Sequence, residues 1–152
     1  MPSTRLSELI PVLQVSIGPV ILISGVGLLL LSWTNRFGRA VDRSRQLARE
    51  MREADEAVRL RLAGQVDILY RRAQLIQVAI ILGAASVLFA AVLIVTLFLT
   101  ALFKLELAVS VISLLFIGCL CSLIVSLIAF MMDIRLSLKA LKLELGRKEP
   151  TH

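Results

Sequence analysis

The first apolar stretch of the chain carries a stripe of small and polar residues that could line a narrow ion pathway. Steps of three and four residues place the stripe on one helical face, and its members are Gln14, Gly18, Ile21, Gly25, Leu28 and Ser32. Arg36, Arg39 and Arg43 follow, and rings of arginine attract anions and repel cations. These three arginines are therefore candidates for a cytoplasmic pore mouth or for lipid head-group contacts. A simpler interpretation is close helix packing, which small residues permit in membranes.

Residue combinations typical of catalysis, metal binding or cofactor binding are missing from the sequence. His152 is its one histidine. Cys119 and Cys121 are two residues apart, so on a helix they point in different directions and should remain free thiols. The sequence has no metal-ligand spacing, phosphate-binding glycine loop or nucleophile motif. We therefore expect no catalytic residues, no metal, no cofactor and no enzymatic activity.

The composition suits lipid better than water. Of the 152 residues, 58% are hydrophobic and 18% are charged, with a mean hydropathy of +0.88. A soluble domain of this length cannot bury so much apolar surface. Three runs without charged residues each exceed the roughly 20 residues that cross a membrane: Leu9–Trp33, Leu75–Phe103 and Leu107–Met132. The sequence predicts an all-α membrane protein with three transmembrane helices.

These runs divide the chain into four parts. They are an outer N-terminus with the first transmembrane helix (1–33), a basic cytoplasmic helical hairpin (34–72), a transmembrane hairpin (73–132) and an amphipathic cytoplasmic C-terminal helix (133–152). Pro19 removes a helical hydrogen bond next to Gly18. The first helix is therefore either one kinked helix from about Leu9 or a span of about 15–37 that follows an interfacial segment.

The segment 34–72 must turn, because the chain has to return to the membrane. A turn at Glu53–Asp55 gives arms of equal length, and Asp55 could cap the returning helix. Gly64 is the rival turn site.

Basic residues set the predicted orientation. The segment 34–72 has 10 Lys or Arg and 6 acids, and 133–152 has 5 and 3. The positive-inside rule places both in the cytoplasm and the N-terminus outside. It also accounts for the net charge of +6, so we expect no nucleic-acid partner. An aromatic belt at the inner surface would fit this orientation, formed by Trp33, Tyr70 and Phe130.

The C-terminal segment has two apolar stripes, one through Ile134 and Leu138 and the other through Leu136 and Leu143. A helix with two apolar stripes must bury both. Either the segment folds into a bundle within its own subunit, or one stripe contacts another copy. In the second case Leu136 and Leu143 are candidate oligomer contacts, and closed symmetry is the usual result.

Several short motifs give the chain a family resemblance. They include Gly18-Pro19, Gly27-Leu28-Leu29, Asn35-Arg36, Gly38-Arg39, Asp42-Arg43 and Arg71-Arg72. From about Ser16 to Met132 the chain resembles a bacterial integral-membrane family of the three-helix type that is known only as a domain of unknown function. The resemblance implies a bacterial inner-membrane location and supplies no catalytic residues.

Three functional hypotheses follow from the sequence. The first is a non-enzymatic integral membrane protein that forms a symmetric homo-oligomer in contact with membrane lipid. The second is an ion channel lined by the first transmembrane helix. The third is an accessory subunit of a larger membrane complex, with the basic hairpin as its docking surface.

Overall fold

Three long helices account for most of the chain that the structure describes. The computed structural model describes residues 3–103 and 108–145. In them, α1 is Ser3–Glu53, α2 is Glu56–Phe103 and α3 is Ala108–Leu145, and these residues contain no strand. All three helices are long and apolar enough to cross a membrane. The prediction of an all-α chain with three helices suited to span a membrane is therefore confirmed, while the link Lys104–Glu106 lies outside the described residues.

Each helix extends beyond its apolar run, α1 at both ends, α2 at the N-terminal end and α3 at the C-terminal end. The 51 residues of α1 and the 48 of α2 would measure about 76 Å and 72 Å, against about 30 Å of hydrocarbon. Pro11 and Pro19 both lie inside α1, so the helix does not end at either proline. Likewise α3 passes Asp133 without interruption, and the segment 133–145 continues the third apolar helix.

The break between α1 and α2 is at Ala54 and Asp55. The backbone N–H of Arg59 donates a 2.8 Å hydrogen bond to the carbonyl of Asp55, which is the bond an N-cap residue accepts at the start of a helix. This is the first of the two turn sites considered from the sequence. The rival site, Gly64, lies inside α2.

The described chain forms two compact units. The first contains the chain up to Leu31 together with Ile81–Val125. In this unit α3 packs against α2 through small residues: the Cys119 thiol donates to the carbonyl of Ser86 at 3.2 Å, and the Ser122 hydroxyl to that of Leu82 at 2.8 Å. Because α3 positions rise as α2 positions fall, the two helices are antiparallel here.

The second unit contains Ser32–Ile80 together with the chain from Ser126 onward. Here the Ser126 hydroxyl donates a 2.6 Å hydrogen bond to the carbonyl of Ala79. On α1, the buried residues Trp33, Ala40 and Leu47 recur every seven positions. A seven-residue repeat keeps one face of a helix toward its neighbours. This unit also contains the buried charge of the described chain.

Candidate functional site

One charged side chain is buried among the described residues, and it is the carboxylate of Asp133, with 0% exposure. It lies on α3 one turn after Phe130 and one turn before Ser137, whose hydroxyl donates to the Asp133 backbone carbonyl. Removing a carboxylate from water costs several kcal/mol unless cations and hydrogen bonds compensate. The surroundings of Asp133 must therefore supply positive charge.

Two arginines from two other helices supply that charge. The Nε–H of Arg72, on α2, donates to Oδ1 of Asp133 at 3.3 Å. The Nη1 of Arg36, on α1, lies 3.9 Å from Oδ2, which is a charge contact too long for a hydrogen bond. The side chain of Arg72 is 25% exposed and that of Arg36 is 32% exposed, so neither arginine is fully buried with the carboxylate.

Two aromatic rings complete this group of residues. The rings of Trp33 and Phe130 have centroids 5.2 Å apart and are tilted by 35°. The guanidinium carbon of Arg36 lies 5.2 Å from the Phe130 ring centroid, within cation–π range. We call these five residues the Asp133 cluster: Trp33, Arg36, Arg72, Phe130 and Asp133.

Two helical arms of nearly equal length connect the turn at Ala54 and Asp55 to the Asp133 cluster, one in α1 and one in α2. Arg36 precedes the end of α1 at Glu53 by 17 residues, and Arg72 follows the start of α2 at Glu56 by 16. Both arginines contact the same carboxylate. The position of the turn at Ala54 and Asp55 thus determines which residues of the two arms meet α3.

Two buried polar atoms of the Asp133 cluster lack hydrogen-bond partners among the described residues. One is the acceptor Oδ2 of Asp133, and the other is the donor Nε1 of Trp33. Each unmatched buried group costs about 1–3 kcal/mol. The cluster therefore joins three helices through charge and ring contacts while keeping one donor and one acceptor unsatisfied.

The predicted pore stripe lies on an exposed part of α1. All six of its residues are exposed, while the buried positions of the same helix include Ser16, Val26 and Trp33. Of the three candidate mouth or head-group arginines, Arg39 and Arg43 are exposed. Arg36 is instead directed toward Asp133, a partner that the sequence did not indicate.

The remaining predicted residues are less fully placed. Leu136 is half-buried and lines a shallow groove with Leu75, Met132 and Arg135. The side chain of Leu143 lies outside the described residues. Cys119 is buried, Cys121 is exposed, and both are free thiols.

The sequence did not reveal the Asp133 cluster. The sequence groups Asp133 with the C-terminal segment and predicts that Trp33 belongs to an aromatic belt at the membrane surface. The prediction for Trp33 is wrong: Trp33 is 0% exposed and packs on Phe130, while Tyr70 is exposed. One feature of the sequence could have indicated the cluster. Asp133 directly follows the third apolar run, and Arg36 and Arg72 lie within three residues of the ends of the other two runs.

Comparison with known proteins gives one family and no function. The chain matches the family described as "Protein of unknown function (DUF2721)" over residues 16–143. No curated protein and no solved structure matches it. Since the match covers most of the chain, this protein belongs to the DUF2721 family, and the resemblance stated from its motifs is confirmed.

Proposed function

We propose that this DUF2721 protein is a non-enzymatic integral membrane protein that works as a symmetric homo-oligomer, with α1 at the contact between copies. It would lie in the bacterial inner membrane with its N-terminus outside. Residues 34–72 would form a cytoplasmic helical hairpin, and the C-terminal part of α3 would also be cytoplasmic. The charge distribution supports this orientation, because both segments are rich in Lys and Arg.

The observation that carries this proposal is the open space beside the glycines of α1. A Cβ built on Gly18 or Gly25, the two glycines of the exposed stripe, would meet nothing within 4 Å. By contrast, a Cβ on Gly118 of α3 would contact the ring of Phe89 at 4.0 Å, so packing within the chain accounts for that glycine. Glycine weakens a helix by about 1 kcal/mol relative to alanine, and packing within the chain gives no reason for it in α1.

A second helix packed against the exposed stripe would account for Gly18 and Gly25. Between membrane helices, small residues allow the backbones to approach closely. This close packing favours association, because the hydrophobic effect does not drive helices together in lipid. The most apolar windows of α1 and α3 are each 11% buried, against 28% for that of α2. The surface of α1 is therefore available to a neighbouring copy.

The test compares two glycines of the same helix. Gly25 belongs to the exposed stripe, whereas Gly27 is equally open but lies on another face, about 160° away. We expect native mass spectrometry of the detergent-purified protein to give one discrete species of about four to seven copies. Gly25→Leu should dissociate it, because the added side chain separates the helices, while Gly27→Leu should leave the copy number unchanged.

Two results would contradict the proposal. A wild-type protein that is monomeric would exclude the homo-oligomer, and a dimer would contradict the expected species of about four to seven copies. Either result would favour the accessory-subunit hypothesis, in which the basic hairpin docks on a larger complex. A pull-down comparing wild type with a variant in which the exposed Arg39 and Arg43 are neutralised would then test this hypothesis. A partner captured by wild type and lost from the variant would identify the complex.

The exposed stripe of α1 favours an ion channel as a second candidate function. Its six residues share one face of the helix, and Arg39 and Arg43 continue that face at the same spacing. In a ring of copies this face would line the axis and pass anions. In that arrangement the copies would contact each other through other faces of α1. Wild-type protein in liposomes should then conduct chloride, and Gly25→Leu should block the flux without changing the copy number. Absence of flux under every ion gradient would reject the channel while leaving the oligomer intact.

A further inference from the structure

We propose that the shallow groove between α2 and α3 binds one anionic phospholipid. The acyl chain would lie against Leu75, Met132 and Leu136, and the phosphate would meet Arg135. This inference goes beyond the oligomer proposed above. It requires insertion in a membrane but no contact between copies.

The walls of the groove suit a hydrocarbon chain. The groove measures about 340 Å³, and three of its four lining residues are apolar. Met132, Arg135 and Leu136 are three and four residues apart, so they share one face of α3 and face Leu75 together. Methionine adapts its shape to irregular apolar partners. The groove is open on one side, which allows a lipid to enter laterally.

The charge beside the groove suits a phosphate. Arg135 is exposed at its wall. Arg72 lies one turn from Leu75 on α2, and its contact with Asp133 uses one of the five N–H donors of a guanidinium. Arg36, Arg72 and Arg135 supply three positive charges near the groove, and Asp133 supplies one negative charge. An anion at this position would offset part of the excess.

The location of the groove identifies the anion as a lipid. Leu75 belongs to one helix that can span a membrane, and Met132, Arg135 and Leu136 belong to another. A bilayer supplies anions that carry their own apolar chains, whereas a free phosphate would leave the apolar walls uncovered. Apolar walls with a cation at the rim therefore match a phosphatidylglycerol-type lipid better than a soluble anion.

The experiment measures lipid binding to the full-length protein by native mass spectrometry. The probes are phosphatidylglycerol and phosphatidylcholine with identical acyl chains. We expect one phosphatidylglycerol per chain to survive activation and phosphatidylcholine to dissociate. Arg135→Gln should weaken phosphatidylglycerol binding about fivefold, because one basic residue near an anionic lipid surface contributes a binding free energy of that size. Arg135→Lys should retain most of it, and Arg59→Gln, an exposed arginine near the turn, is the matched control.

A second pair of variants tests the apolar half of the site. Met132→Trp should fill the groove and reduce phosphatidylglycerol binding with every charge retained, while Met132→Leu should bind like wild type. Soluble glycerol phosphate should fail to displace the lipid. Displacement by it would assign the site to free phosphates instead, and overturn the lipid as occupant. Unchanged helicity by circular dichroism shows that each variant is folded.

Three further outcomes would overturn the proposal. Equal retention of the two lipids would remove the role of charge. Equal losses for Arg135→Gln and Arg59→Gln would indicate annular lipid without a site. If Met132→Trp lowered the copy number and left lipid binding unchanged, the groove would belong to a contact between copies. Copy number and bound lipid come from the same spectra, so failure of the oligomer and failure of the lipid site are distinguishable.

Discussion

The negative charge of Asp133 pairs with two arginines from different helices. Its contribution to stability should therefore come from its charge more than from the volume of its side chain. We expect Asp133→Asn to lower the free energy of unfolding by about 2–3 kcal/mol. Breaking a fully buried pair costs 3–5 kcal/mol, and the value is smaller here because Arg36 and Arg72 are partly exposed. Denaturant titration of the micelle-bound protein, followed by circular dichroism, measures the loss.

Asp67 provides the matched control for Asp133. It pairs with Arg71 at 3.1 Å, but the two side chains are 61% and 70% exposed. Exposed pairs four residues apart on a helix contribute about 0.3–0.5 kcal/mol, so Asp67→Asn should be close to neutral. Equal losses for the two variants would show that the Asp133 cluster contributes no more than a surface pair.

Trp33 contributes to the fold through its ring, because its buried Nε1 has no partner among the described residues. We expect Trp33→Phe to cost less than about 1.5 kcal/mol, since it removes an unsatisfied donor along with part of the ring. Trp33→Ala should cost about 3–5 kcal/mol. Unfolding titrations of both variants test this. A Trp33→Phe loss as large as that of Trp33→Ala would mean that the indole N–H has a partner after all.

At the scale of the helices, hydroxyls of α3 connect it to the backbone of α2. The buried Ser126 donates to Ala79 at 2.6 Å, and such bonds between membrane helices contribute about 0.6 kcal/mol on average. Ser126→Ala should therefore cost about 0.5–1.5 kcal/mol. Ser126→Leu should cost more, because the larger side chain separates the helices.

Ser113 is the control for Ser126, since it lies on the same helix and is exposed. Ser113→Ala and Ser113→Leu should both unfold like wild type in the same titration. Destabilisation by Ser113→Leu equal to that by Ser126→Leu would show that bulk on α3 is harmful at any face.

The helices could be predicted from the sequence because they are determined by residues that are neighbours along the chain. Long runs without charge have few alternatives to a transmembrane helix, and Asp55 is a favoured N-cap residue. The burial of Asp133 could not be predicted in this way. It depends on Arg36 and Arg72 reaching α3 from two other helices, and no local pattern encodes that distance. For the same reason the sequence predicts a surface belt for Trp33, although its ring packs on Phe130.

For the whole molecule, the proposed orientation predicts which side of the membrane the turn faces. We expect a cysteine at Glu53, an exposed position at the end of α1, to react with a membrane-impermeant maleimide only after spheroplasts are permeabilised. Cys119→Ala and Cys121→Ala remove the native thiols from the background. The positive-inside rule is the physical reason, and labelling of intact spheroplasts would reverse the orientation.

The seven-residue spacing of Trp33, Ala40 and Leu47 also limits how this molecule can change in length. One inserted residue in the α1 arm would rotate every residue beyond it by about 100°, and part of this packed face would turn outward. Seven residues restore the face and add about 10.5 Å. Because Asp133 fixes Arg36 on one arm and Arg72 on the other, both arms must grow together. Length variants that fold should therefore differ from this chain by whole heptads, with the same number of heptads added to both arms. Insertions of intermediate length should be selected against.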